Sequence, residues 1–131
     1  MTAREERFGL SAIGQISVRV RDLERAMRFY RDTLGMKFLF TAPPQMAFFD
    51  CGGIRLMLGV PEKPEFDHPG SIIYYRVSDI QGAAEHLRGK GVRFESDPHL
   101  VARLQTHDLW LAFLRDPEDN LLALMSEVPK R

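Results

Sequence analysis

Two stretches of this chain are versions of one another. Val20–Phe38 reads VRDLERAMRFYRDTLGMKF, and Val77–Phe94 reads VSDIQGAAEHLRGKGVRF. Val20, Asp22, Leu23 and Ala26 meet Val77, Asp79, Ile80 and Ala83 at a separation of 57 residues. Gly35, Met36, Lys37 and Phe38 then meet Gly91, Val92, Arg93 and Phe94 at 56, so one residue is lost, which reads as a loop change between helix and strand. A repeat limits the possible folds severely, because each copy is one supersecondary unit that buries its apolar face together with its neighbour's.

Each copy reads as a strand, a helix and then further strands. In the first strand, GQISVRVRD from Gly14, alternation sends Ile16, Val18 and Val20 to one face and Gln15, Ser17 and Arg19 to the other. Asp22 is a helix N-cap by residue type. Leu23, Ala26, Met27, Tyr30 and Leu34 form the apolar stripe that follows, and Gly35 ends the helix with a positive φ. Strands are expected near 36–42, 46–51 and 54–60, with Cys51-Gly52-Gly53 as the turn between the last two. The second copy predicts a strand at 71–77 and a helix at 79–89 with Ile80, Ala83, Ala84 and Leu87 inward. Strands near 92–95, 99–104, 108–115 and 120–127 complete it. Residues 115–120, RDPEDN, form the last hairpin turn, with Asp119 or Asn120 in the left-handed region. The expected organisation is one domain over 1–131, with a first module at about 14–61, a proline- and charge-rich linker at about 61–70 and a second module at about 71–128. The class is α+β, with two sheets bent toward each other around a cleft, and a cleft is the default ligand site.

Charge narrows the partners. Lys plus Arg equals Asp plus Glu, 18 each. That balance argues against nucleic acid and anionic membrane, which favour a basic surface. Cys51 is the single cysteine, which excludes an intrachain disulfide and suits a reducing cytoplasm. The N-terminal MTAREERFGL has no apolar core of an export signal, and no apolar run approaches membrane-spanning length.

ISVRVRDLERAMRFYRDTLGM and RDPEDNLLALM, taken with the repeat, resemble the vicinal oxygen chelate superfamily: glyoxalase I, bleomycin-resistance proteins and extradiol dioxygenases. The first matches the family's opening strand, aspartate cap and FY…LG helix end; the second matches its DPDGN turn and closing strand. The resemblance covers about residues 14–128 and implies two tandem βαβββ modules forming an eight-stranded curved sheet around a cleft. It leaves function open, since the superfamily spans lyases, epimerases, dioxygenases, thiol transferases and drug binders.

In the superfamily's metal enzymes four strands each supply one ligand. The matching positions here are Gln15, Met57, Ile72 and Ala123. Gln15 is a permitted ligand type, whereas a thioether and two alkyl side chains do not replace His or Glu. A register slip of one residue finds only Leu56, Leu58, Ser71, Ile73, Leu122 and Leu124. The expectation is therefore no metal at the usual site, with a divalent ion at an unusual set such as Gln15, His99 and His107 as the alternative.

The resemblance places Gln15, Ser17, Arg19, Arg55 and Met57 on the first module's cleft face. Ile72, Tyr74, Arg76, Leu121, Ala123 and Met125 stand on the second's. Arg19 and Arg76 are repeat equivalents. The arginine matching Arg19 in glyoxalase I binds a glutathione carboxylate, and a guanidinium fork suits such an anion; pairing with acids on neighbouring elements is the competing expectation. The floor is apolar and no carboxylate is expected on it. Trp110 and Tyr74 are candidates for stacking on a ligand. His99 and His107, in the hairpin at 97–113, are candidate acid–base groups if they face each other; the competing reading is a polar hairpin tip. His68 and His86 are weaker candidates, and Cys51 reads as a small buried residue.

Two functions follow from these residues. One is a metal-free module that binds a small organic molecule, in particular an anionic one. The other is an enzyme, a lyase, isomerase or dioxygenase, using an unusual metal set or His99 and His107. Exposed strand edges favour pairing, so a homodimer is expected, with clefts closed within one chain or between two.

Overall fold

The structure is a computed structural model and describes residues 8–130. Most of the N-terminal stretch read above as lacking an export signal lies outside the described residues. The elements run β1 (Gln15–Arg19), α1 (Leu23–Arg28), β2 (Lys37–Ala42), β3 (Met46–Cys51), β4 (Ile54–Gly59), β5 (Ile73–Arg76), α2 (Ile80–Gly89), β6 (Arg93–Phe94), β7 (His99–Arg103), β8 (His107–Arg115) and β9 (Leu121–Pro129). They form two sheets, ordered β1-β4-β3-β2 and β5-β9-β8-β6, with β7 also on β8. This is the α+β architecture expected from the repeat. In both sheets the strand before the helix lies parallel beside the last strand of its module.

Among the described residues there are nine strands in the eight expected positions, because one position is split in two. β6 pairs with Leu114 and Arg115 of β8, and β7 pairs farther along the same strand, from Asp108 to Leu111. Together they fill the single edge position that β2 fills in the first sheet. The interruption at Glu95–Pro98 is held by Glu95 and Ser96 amides that donate to the Phe113 carbonyl, and by the Phe113 amide that donates to Ser96 Oγ.

Both helices start as their sequences dictate. Asp22 accepts from the Arg25 amide and Asp79 from the Gly82 amide. Gly35 and Gly91 end them at φ 72° and 87°. The residue lost between the copies is not in a loop. α1 continues into a π-turn over Phe29–Thr33, where the Leu34 amide donates to the Phe29 carbonyl. The Met36 amide reaches the Tyr30 carbonyl, whereas its counterpart Val92 reaches Leu87. These bonds equate Tyr30 with Leu87 and Met36 with Val92, and put the extra residue between Tyr30 and Met36, as a bulge widening the helix.

One apolar core lies between the helices and the sheets. Val20, Tyr30, Phe49, Leu58, Leu114 and Leu124 are among its buried members and come from both modules. The β1 alternation is as expected, since Ile16 and Val18 pack on this core while Gln15 and Ser17 are exposed.

The turn at 116–120 ties the modules together. Asp116 is buried, accepting from the Tyr30 hydroxyl at 2.8 Å, from the Glu118 and Asn120 amides, and from Asn120 Nδ2. Asp119 takes the left-handed conformation at φ 68°. The Glu118 side chain, only 3% exposed, accepts from the Arg21 amide at 2.7 Å, the Asp22 amide at 2.9 Å and the Arg25 guanidinium at 2.8 Å. A second-module carboxylate thus satisfies amide donors at the start of a first-module helix, where negative charge is favoured. Burial works to raise the Glu118 pKa, but the two amides and Arg25 outweigh it and hold the carboxyl below its ordinary range.

Among the described residues no helix is long and apolar enough to cross a membrane.

Candidate functional site

Among the described residues β1 pairs only with β4, and β5 only with β9, so each keeps a free edge. The two edges border a cavity of ≈ 240 Å³ at the seam between the modules. Ser17 and Arg19 line it from the first module, Ile72 and Leu121 from the second, and Arg115 and Asn120 add polar groups. A pocket of ≈ 180 Å³ on the first module shares Ser17 and Arg19 and adds Met46, Met57, Glu62 and Phe66. Arg19 belongs to both spaces.

The arginines differ in surroundings. Arg19 Nη1 lies 2.9 Å from Asp67 Oδ1, and the side chain keeps 29% exposure. One carboxylate occupies part of a five-donor fork, leaving donors for a second anion. Arg76, its repeat equivalent, is 72% exposed with Nε 3.8 Å from Glu127 Oε1. Arg55 is exposed and lies over the Phe48 ring at 5.5 Å. Pairing with acids thus describes Arg19 and Arg76, and the expected lack of carboxylates is overturned. Glu127 continues the period-two series of Leu121, Ala123 and Met125, and Glu62 and Asp67 come from the linker. That linker is more than a spacer: it turns at Pro64–Phe66 and puts Phe66 into the first-module pocket.

The positions matching metal ligands do not fit a divalent ion. Gln15 Nε2 points at Met57 Sδ, 3.8 Å away. Ile72 precedes β5 and is 39% exposed, whereas Ala123 is fully buried and paired with Tyr74. One amide and one thioether cannot replace a set of imidazoles and carboxylates. Among the described residues, no group of three or more His, Cys, Asp or Glu comes together to hold a metal. Gln15, His99 and His107 are no such set either, because His99 and His107 stand at opposite ends of the β7–β8 hairpin.

The histidines do not form a pair. Register puts His99 opposite Leu111 and Arg103 opposite Asp108, so His99 and His107 occupy opposite ends of the β7–β8 hairpin. His99 Nδ1 lies 2.9 Å from the Asp97 carbonyl, and His107 Nε2 is 3.6 Å from Glu127. His68 meets only the neighbouring Pro69 carbonyl. Trp110 faces the other way from the cleft: it stands opposite Ser126, in series with Ala112 and Leu114, and packs on the core. Tyr74 stays on the cleft face, edge-on to Phe113 at 6.1 Å. Met125, opposite Leu111, is half-buried. Cys51 is half-buried, and burial, with Asp50 beside it, raises its thiol pKa, the reverse of an activated nucleophile.

Asp67, Arg115 and Asn120 were missed by sequence reasoning. Asn120 Nδ2 donates to the Arg19 carbonyl across the seam, and Arg115 pairs with Glu95 at 3.3 Å. Nothing in the local pattern marks these contacts, because the first depends on how the modules dock and the second on the β6–β8 register.

Residues 12–124 match the family described as Glyoxalase/Bleomycin resistance protein/Dioxygenase superfamily. A glyoxylase-like domain-containing protein of Didymella fabae is 30% identical over 125 residues, covering 90% of this chain and 95% of its own. A superfamily member from Sphaerobacter thermophilus DSM 20745 superimposes with a TM-score of 0.75 at 24% identity, covering 90% and 98% of the two chains. TnmS3, an antibiotic-binding protein from Streptomyces sp. CB03234, gives 0.72 at 24% identity over 95% and 100%. With the repeat, the paired sheets and the seam all in place, the chain belongs to the glyoxalase/bleomycin resistance protein/dioxygenase superfamily.

Proposed function

We infer that the protein binds a small anionic organic molecule at the seam between its modules, without a metal. The observation that carries this reading is the half-buried Arg19, which lines both the seam cavity and the adjoining first-module pocket while giving Asp67 only part of its donor fork. A guanidinium partly withdrawn from water binds a carboxylate or phosphate more strongly than an exposed one does. Ile72 and Leu121 offer apolar contact beside it, and Ser17 and Asn120 can fix orientation. An antibiotic-binding protein with the same fold lends this reading support. The metal-free part rests on the donor set at Gln15, Met57, Ile72 and Ala123. With His99 and His107 at opposite ends of their hairpin, the catalytic alternative loses the histidine pair on which it rested.

The exposed cleft-face residues of both sheets, and apolar residues such as Phe40 and Val101 on edge strands, favour a homodimer. Light scattering at micromolar concentration tests it, and a monomer contradicts it.

The binding test is a thermal-shift screen of small aryl and alkyl carboxylates and phosphates, each paired with its neutral analogue. Anionic members are expected to raise Tm, and Arg19→Gln is expected to remove the shift while preserving the fold. No stabilisation by any anion, or equal stabilisation of wild type and Arg19→Gln, overturns the reading.

A further inference from the structure

A second cavity, ≈ 290 Å³, lies on the helix-facing side of the second sheet. Leu114, Leu122 and Leu124 line it from the strands, Ala83 and Leu87 from α2, and Met36 from the segment after α1. Its origin lies in the repeat. The first helix presents Phe29 and Tyr30 where the second presents His86 and Leu87. Tyr30 is buried against Phe49 and Asp116 and fills its own module. Leu87 is smaller, and the adjacent sheet surface stays open.

The cavity's rim carries one cation, the Lys90 ammonium. His86 and Lys90 line it and are exposed. Lys90 Nζ donates to the Asp32 carbonyl at 3.1 Å, which holds the ammonium between the two helix ends. Among the described residues Lys90 has no carboxylate within ion-pair distance, since the nearby Asp32 carboxylate is bound by Arg31. An ammonium has three donors, so two remain. The Tyr75 phenol belongs to the wall, but its oxygen is sealed from solvent, so it is no contact for a ligand.

We propose that this cavity is a second binding site, distinct from the seam, for a small amphipathic carboxylate whose apolar body lies on Leu87, Leu114 and Leu124 while its carboxylate meets Lys90. A cavity of this size is at the small end of ligand sites and suits a molecule of about ten heavy atoms. A neutral apolar molecule would make no use of the two remaining ammonium donors, and a cation would be repelled by the ammonium.

The test is a titration of the full chain with octanoate, followed by amide and methyl NMR. Saturable shifts are expected at Val77, Ala83, Leu87 and Leu124. Lys90→Gln, an exposed change that the fold tolerates, is expected to weaken binding about fivefold, the scale of one partly exposed ion pair. Ala83→Leu is expected to abolish the shifts by filling the space. Octylamine is expected not to bind there. No saturable shift, unchanged affinity in Lys90→Gln, or shifts centred on Ser17, Arg19 and Met57 each overturns the proposal. The last result would place octanoate at the seam and leave the seam reading intact.

Discussion

The two modules are copies in sequence but not in what they do for each other. In the first, the turn between the last two strands is Cys51-Gly52-Gly53. Asp50 accepts there from the Gly53 amide alone, and the side chain closes its own turn. In the second, the corresponding turn is RDPEDN, and its acids reach into the other module: Asp116 to Tyr30, and Glu118 to the start of α1. The helices differ in the same direction, with bulky Phe29 and Tyr30 opposed to His86 and Leu87. The first module therefore receives the docking contacts and is filled on its helix-facing side, whereas the second supplies them and keeps a cavity there. After duplication, one copy can be specialised for holding the pair together while the other keeps open space.

This asymmetry can be broken by substitution. The largest effect is expected for Asp116→Ala, which removes the acceptor of a buried hydroxyl, two amides and one side-chain amide. Its loss should be about 3–4 kcal/mol in denaturant unfolding, and a loss below about 1 kcal/mol would show that the turn does not hold the modules together. Tyr30→Leu, which gives the first helix the second's residue, should cost about 2–3 kcal/mol through lost packing and the loss of one of the two donors to Asp116 Oδ2.

Glu118→Gln should cost about 1–2 kcal/mol at neutral pH, since the amide keeps an acceptor but loses the charge beside Arg25 and the helix start. Its pH dependence is the sharper readout. The folded-state pKa is depressed, so the carboxylate's contribution is fully present above the unfolded value, about 4.3, and is lost as pH falls through the lowered folded one. The stability gap between wild type and Glu118→Gln should be constant near neutrality and shrink below about pH 4. A gap that ignores pH would mean the charge contributes nothing. Asp50→Ala in the first module's turn should cost least, under about 1 kcal/mol, because its one hydrogen bond is to a half-exposed turn.

Much of the fold is legible in residues that act locally. Asp22 and Asp79 cap their helices, Gly35 and Gly91 end them, and alternation in β1 separates Ile16 and Val18 from Gln15 and Ser17. The π-turn is visible only as one extra residue, and no propensity distinguishes a bulged helix from a longer loop. The site is less legible because it depends on register and docking. Trp110 was misplaced for want of the alternation set by Ala112 and Leu114, which puts it on the core side. His99 and His107 look close in a hairpin, but they occupy opposite ends of it once the tight turn at 104–106 is drawn. Asp67 and Glu118 act across long sequence separations, so nothing near them in the chain announces their partners.

The central functional claim is that the family's cleft here works through Arg19 without a metal. Elemental analysis of the protein purified without chelators tests it most directly, with thermal shift on added divalent ions as the companion readout. The account predicts only trace divalent metal and no shift in Tm with added Ni, Zn, Mn or Fe. A stoichiometric metal that raises Tm when restored after removal, with the effect abolished by Gln15→Ala, would contradict it.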